Sequence, residues 1–162
     1  MAAADYYLKI DGVDGESTTK GHEKEIRLQS YSWGATQSGT FGPDTPGGGA
    51  GTASLQDFHF VMPVSKASPA LFLACAKGTH AANAILTCIK AGEAVDFMKV
   101  TMSPVLVSSF QTGGSGAGDV VPTDQISLNF GKIEIVYKEQ DTKGAGGGTV
   151  DKWFDVTTGE GG

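Results

Sequence analysis

The 162 residues include only two cysteines, three histidines and 12 lysines and arginines, and each scarcity removes a class of function. Cys75 and Cys88 are not at the short spacing of a metal-binding pair. Their apolar neighbours, "LFLACA" and "AILTCIK", favour buried free thiols over a disulfide. His22, His59 and His80 lie far apart and no H-E-x-x-H accompanies them, so neither a metal nor a cofactor is expected. Acidic residues outnumber basic ones, giving a net charge of −6. Such a chain is repelled by phosphate backbones and anionic lipid, which argues against nucleic acid and membrane surfaces as partners. No apolar run approaches the length of a bilayer-spanning helix, so no membrane insertion is expected. "MAAADYYLKI" lacks a basic segment followed by an apolar one. The expectation is folding in the cytoplasm and, if the protein is secreted, export without a cleaved signal peptide.

Glycine is abundant instead, at 24 residues. Its clusters lie near 42–51, 113–118, 144–148 and 159–162, without the strict period of collagen. A Gly-rich loop can cradle a phosphate, but the sequence fails that test. The only Gly-Lys pair is Gly131-Lys132, with Ile126 where a P-loop needs its first glycine and Ile133 where it needs Ser or Thr. Starting from Gly114 and Gly116, the dinucleotide pattern G-x-G-x-x-G meets Asp119 in place of the third glycine.

Nucleophilic catalysis is equally unsupported. His22 sits in the charged run "GHEKE", His80 follows a helix end, and His59 alternates with Phe58 and Phe60 on a strand. No G-x-S-x-G elbow is present, and Ser108-Ser109 belong to an alternating strand. "DGVDGES" lacks the length and closing Glu of a calcium loop. Asp57, Asp96 and Asp119 could meet in space, but surface charge is the default for each. The chain is therefore expected not to be an enzyme.

Alternating apolar residues mark strands at "YYLKI", "EIRLQSYSWG", "SLQDFHFVM", "AILTCIKA", "VDFMKVTMS", "VLVSSFQ", "QISLNFGKIEIVYK" and "KWFDV". In the second of these, Ile26 and Leu28 share a face with Ser30 and Ser32, opposite Tyr31 and Trp33. In the seventh, Ile126, Leu128 and Phe130 keep one phase and Ile133, Ile135 and Tyr137 the other, which predicts a β-bulge at Gly131-Lys132. One helix is expected in "SPALFLACAKG", with Ser68 as N-cap, Pro69 at its first position and Gly78 as its stop. Leu71, Phe72, Ala74 and Cys75 would form its apolar stripe. The fold class is mainly β: an antiparallel β-barrel of two packed sheets with one short flanking helix. A single domain over 1–162 is expected, with a flexible loop at about 40–52 and a disordered tail at about 157–162.

The stretches "YSWGATQSG" (31–39), "GES…GHEKEI" before it, "ASPALFLACAKGTHAANAILTCIKAG" (67–92), "VLVSSFQTGGSGAGD" (105–119) and "ISLNFGKIEIVY" (126–137) occur together and in order. In this the chain resembles the Hcp (haemolysin co-regulated protein) family of type VI secretion systems, over about residues 5–156. It departs from the family in Trp153-Phe154-Asp155 near its end and in the two prolines, Pro43 and Pro46, of a Gly-rich loop. The resemblance implies a phage tail-tube-like barrel that assembles into hexameric rings with a wide channel. Those rings would stack into the inner tube of a contractile machine. Its partners would be further copies of itself, a sheath, a spike and carried effectors. No catalytic residue, cofactor or metal is implied. On this reading Ser30 and Ser32 face the channel, and Gly47, Gly48, Gly49, Gly113, Gly114 and Gly116 make subunit or ring contacts. The alternative is a tube or shell subunit of another phage-derived contractile particle.

Overall fold

A computed structural model describes residues 4–41, 51–90, 95–118, 121–140 and 146–162. Its main sheet follows the order β2 (Ile26–Leu28), β1 (Ala4–Ile10), β8 (Ala84–Lys90), β9 (Asp96–Gly113), β10 (Thr123–Gln140), β6 (Phe58–Pro63) and β3 (Ser30–Ser32). All of these pairs are antiparallel. β7 (His80–Ala81) pairs with β9, and β11 (Gly146–Asp155) with β10. A separate two-stranded sheet joins β4 (Ala35–Gln37) to β5 (Ala53–Leu55).

The two ends of this sheet, β2 and β3, are separated in sequence only by Gln29, whose N–H donates to Val61 O at 2.8 Å. The chain therefore leaves one end of the sheet and joins the other within one residue, which nearly closes a barrel. This corner also corrects the expected phase of the segment. Ile26 and Leu28 are buried, Ser30 and Ser32 are exposed, and Tyr31 points inward to stack on Phe58 with ring centroids 5.7 Å apart. Alternation breaks at Gln29, so the serines do not share a face with Ile26 and Leu28.

A second corner lies at Gly131-Lys132, where the phase changes as expected but not through a bulge. Phe130 pairs with Val105 and Ile133 with Met102 in unbroken register, and all four are buried. Both long strands thus change phase together at Ser103-Pro104 and Gly131-Lys132. There β10 gives up β6 and takes on β11 as its second neighbour. A Cβ on Gly131 would stand 3.1 Å from Pro104 Cδ, so glycine fits the tight crossing. The bulge itself falls at Ser127/Leu128, where β9 inserts Ser108 as the extra residue.

The core is the barrel interior, filled by Leu8, Phe58, Phe60, Met62, Leu86, Met102, Ile126 and Leu128, each fully buried. One helix, α1 (Ala67–Lys77), covers it through Leu71 and ends at Gly78 in the left-handed conformation with φ 67°. Ser68 is not its N-cap, which is Lys66. Ser65 starts the turn instead, its hydroxyl accepting the Ala67 N–H at 3.2 Å while Ser68 Oγ accepts the Ser65 N–H at 3.0 Å. Phe72 does not join the buried stripe: it is exposed and meets Phe110 edge-on at 6.0 Å.

The 157–162 segment is not a disordered tail. It turns back along β11, with Trp153 N–H donating to Gly162 O at 2.9 Å and Asp155 N–H to Glu160 O at 2.8 Å. The Asp155 carboxylate caps the turn, accepting the Thr157 hydroxyl at 2.6 Å and the Thr157 N–H at 2.8 Å. Those bonds, the Thr157 hydroxyl foremost, hold its carboxyl below the usual range.

Candidate functional site

Ser30 and Ser32 open a continuous outward face. Strand register sets Ser32 beside His59 of β6, His59 beside Ser127 of β10, and Ser127 beside Ser109 of β9. One row away, Ser30, Val61, Gln125 and Gln111 align in the same way. These side chains are short or uncharged, and no lysine or arginine lies among them. The other halves of the same two long strands differ sharply, carrying Asp96, Lys99, Lys132, Glu134 and Lys138. The corner at Ser103-Pro104 and Gly131-Lys132 thus divides each of the two strands into a charged half and a hydroxyl-and-amide half.

Among the described residues, the carboxylate beside the neutral face is that of Asp57, and two neighbours hold it. Ser108 Oγ, from the bulge, donates to Oδ2 at 2.6 Å, and Asn129 Nδ2 donates to Oδ1 at 3.0 Å. His59 Nδ1 lies 3.2 Å from Ser127 Oγ. Serine, histidine and aspartate therefore come together here, but as two separate pairs. The base contacts one serine and the carboxylate another, so the relay of nucleophile, base and orienting acid is not formed. What the face offers is hydroxyl and amide groups that both donate and accept hydrogen bonds.

Each sequence-based site residue can now be placed. Gly113 ends β9 opposite Thr123, and a Cβ on Gly114 would stand 3.2 Å from Pro122 Cγ. Gly116 has open space around it. None of the three has a positive φ, so glycine is not demanded there by a left-handed backbone. Gly47, Gly48 and Gly49 lie outside the described residues. Asp57 and Asp96 do not meet, being engaged by Ser108 and, at 3.9 Å, by Lys138. Asp119 also lies outside the described residues.

Three comparisons bear on this arrangement. Residues 7–137 match the family model described as "Type VI secretion system effector, Hcp". Protein hcp1 of Pseudomonas aeruginosa is 41% identical over 157 residues, covering 95% of this chain and 96% of that protein. The chain belongs to the Hcp family. Among solved structures, one described as a type six secretion system protein superposes with a TM-score of 0.93 at 28% identity, covering 99% of this chain and 100% of the other. Hcp1 from Salmonella typhimurium gives a TM-score of 0.82 at 30% identity, covering 99% of each.

Two features of the structure lie outside the sequence-based expectations. Asp124 is fully buried, and Ser68 Oγ donates to it at 2.5 Å. The signal was present, because Asp124 shares the inward phase of Ile126 and Leu128. The second is the Tyr31–Cys88 contact in the core. Burial, with Cys88 beside it, pushes the Tyr31 phenol up to about 12, and burial pushes the Cys88 thiol up to about 11. Both cysteines are free thiols; Cys88 is buried as expected, whereas Cys75 is only half-buried. No helix among the described residues is long and apolar enough to cross a membrane.

Proposed function

We propose that copies of this chain close into hexameric rings, that the rings stack into the inner tube of a type VI secretion machine, and that effectors travel in the channel. The chain is then a structural carrier, not a catalyst. A sheath surrounds it, a spike caps it, and it leaves the cell with its cargo when the sheath contracts. The neutral, short-side-chain face carrying Ser30 and Ser32 is the observation that carries this reading. A wall that must hold and then release varied polypeptides needs hydrogen-bonding groups without fixed charges that would select one sign of cargo. Gly113, Gly114 and Gly116 sit at the loop between β9 and β10, beside that wall, where a close neighbour meets little side-chain bulk. Gly47, Gly48 and Gly49, which lie in sequence between β4 and β5, would make further subunit or ring contacts.

Electron microscopy of the purified protein tests the assembly, with six-fold rings around an open hole as the expected image. A chain that stays monomeric at high concentration overturns it. Appearance of the protein in culture supernatant only when the contractile apparatus is intact tests the export step.

A further inference from the structure

Of the three histidines, His59 alone lies on the neutral face, and it stands in the middle of it. Ser32 of β3 is on one side and Ser127 of β10 on the other, in the row that Ser109 of β9 extends. Its chain neighbours Phe58 and Phe60 are fully buried, and strand alternation then holds the imidazole on the outer side. Nδ1 lies 3.2 Å from Ser127 Oγ, while Nε2 has no hydrogen-bond partner among the described residues. The ring is half-buried, so this second nitrogen is left to solvent or to a molecule resting on the wall. The other histidines are placed differently. His22 Nδ1 meets Glu25 Oε2 at 3.0 Å and its ring stacks on Tyr7, and His80 is exposed at the start of β7.

A proton on His59 would meet little to offset it. Along Ser30–Ser32, Ser109–Gln111 and Gln125–Asn129, the strands β3, β9 and β10 present uncharged side chains to this face. On its own segment the same-face neighbours are Val61 and Asp57, and the Asp57 carboxylate is taken by Ser108 and Asn129. Protonation therefore adds one positive charge per subunit to a surface that has no lysine or arginine. Imidazole is the side chain that changes charge between about pH 8 and about pH 5.

We infer that His59 sets the charge preference of the cargo wall. Unprotonated, it leaves a surface of hydrogen-bonding groups; protonated, it makes that surface hold acidic polypeptide segments and release basic ones. Copies around a ring would direct these charges into one channel, where low-dielectric walls focus their field. The inference rests on the carrier reading above and names the residue that selects cargo by charge.

The test measures binding of labelled peptides of equal length, rich in aspartate, in lysine, or in glycine and serine. They are offered to intact rings of the unaltered chain, His59→Gln and His59→Lys. Fluorescence anisotropy reads the binding at about pH 8 and about pH 5.5, and electron microscopy checks the rings. For the unaltered chain, acidification should raise affinity for the aspartate peptide about fivefold and lower that for the lysine peptide by a similar factor. The glycine-serine peptide should not respond. His59→Gln, which keeps a partner for Ser127, should show neither shift. His59→Lys should prefer the aspartate peptide at both pH values, and added salt should erase that preference. A pH response that survives in His59→Gln, or none in the unaltered chain, overturns the role of His59 and leaves the carrier reading standing. Should His59→Gln form no rings, His59→Lys decides alone: no preference for the aspartate peptide at about pH 8 overturns the assignment. Rings that bind none of the peptides at either pH overturn the carrier reading together with this one.

Discussion

The hydroxyl of Ser68, in the first turn of α1, donates a 2.5 Å hydrogen bond to Oδ2 of Asp124 on β10, and both side chains are buried. The helix has no acidic residue in its own first turn, and Asp124 supplies one from the sheet, where helix N–H groups favour negative charge. Oδ1 has no partner among the described residues, so Ser68 is the one side chain seen to compensate this buried group. Ser68→Ala should therefore lower stability by about 2–3 kcal/mol, more than an ordinary lost hydrogen bond. Asp124→Asn, which keeps an acceptor and removes the charge, should cost less than Asp124→Ala. Urea midpoints of the three variants decide it, and equal losses for Asn and Ala would refute the pairing.

Gly15 is held against the Glu25 backbone. Its N–H donates to Lys24 O at 2.7 Å, and a Cβ there would overlap the Glu25 carbonyl. This contact folds residues 15–25 over Tyr7, whose ring stacks on His22 at 4.9 Å and whose hydroxyl lies 3.0 Å from Thr19 Oγ1. Backbone cannot yield as a side-chain tip can, so Gly15→Ala should cost about 1–3 kcal/mol. Gly12→Ala, with φ 81° but open space, should cost only its backbone strain, about 1 kcal/mol. Thermal melts of the two variants rank them, and a Gly15→Ala chain as stable as its parent would contradict the packing.

Alternation revealed the barrel because its strands bury one face each: Phe58, Phe60 and Met62 read inward from the sequence and are fully buried. It failed at the corners. Gln29 and the Ser103-Pro104/Gly131-Lys132 crossing each change phase without leaving the sheet, and a periodic pattern cannot tell a corner from a bulge. The helix stop was legible because Gly78 has a local cause, a left-handed backbone. The start was not, because Ser65 and Ser68 both suit the role and tertiary contact with Asp124 decides between them. The pattern alone sets Ser30 and Ser32 on the face of Ile26 and Leu28, and only the family resemblance points them to a channel. Their polar surroundings come from four strands distant in sequence, which no local pattern brings together.

Alkali should loosen the fold through Tyr31 and Cys88. Both are raised in the folded chain, from ordinary values of 10.0 and 9.0 to about 12 and about 11. The folded state thus holds these protons more tightly than the unfolded state. Their contribution is complete below the unfolded values and is lost as pH rises through the folded ones. Stability should fall with pH above about 9, and Tyr31→Phe should flatten the part of that fall lying above pH 10. Denaturant midpoints across the alkaline range check it; an identical slope in Tyr31→Phe would remove Tyr31 from the account.

The neutral face makes its own prediction at Ser32, which is exposed and paired across to His59. Its side chain touches no part of the core, so Ser32→Trp should change stability by about 0.5 kcal/mol or less and leave rings intact. A bulky ring there would cover the hydrogen-bonding groups of His59 and Ser127 and intrude on any cargo held against the wall. Cargo co-purifying with unaltered rings should then be lost from Ser32→Trp rings, whereas Lys99→Trp, on the charged half of β9, should retain it. Equal retention by both variants would place the cargo surface elsewhere on the ring. Loss from Lys99→Trp alone would move it to the charged half of the sheet, where binding should weaken steeply with added salt.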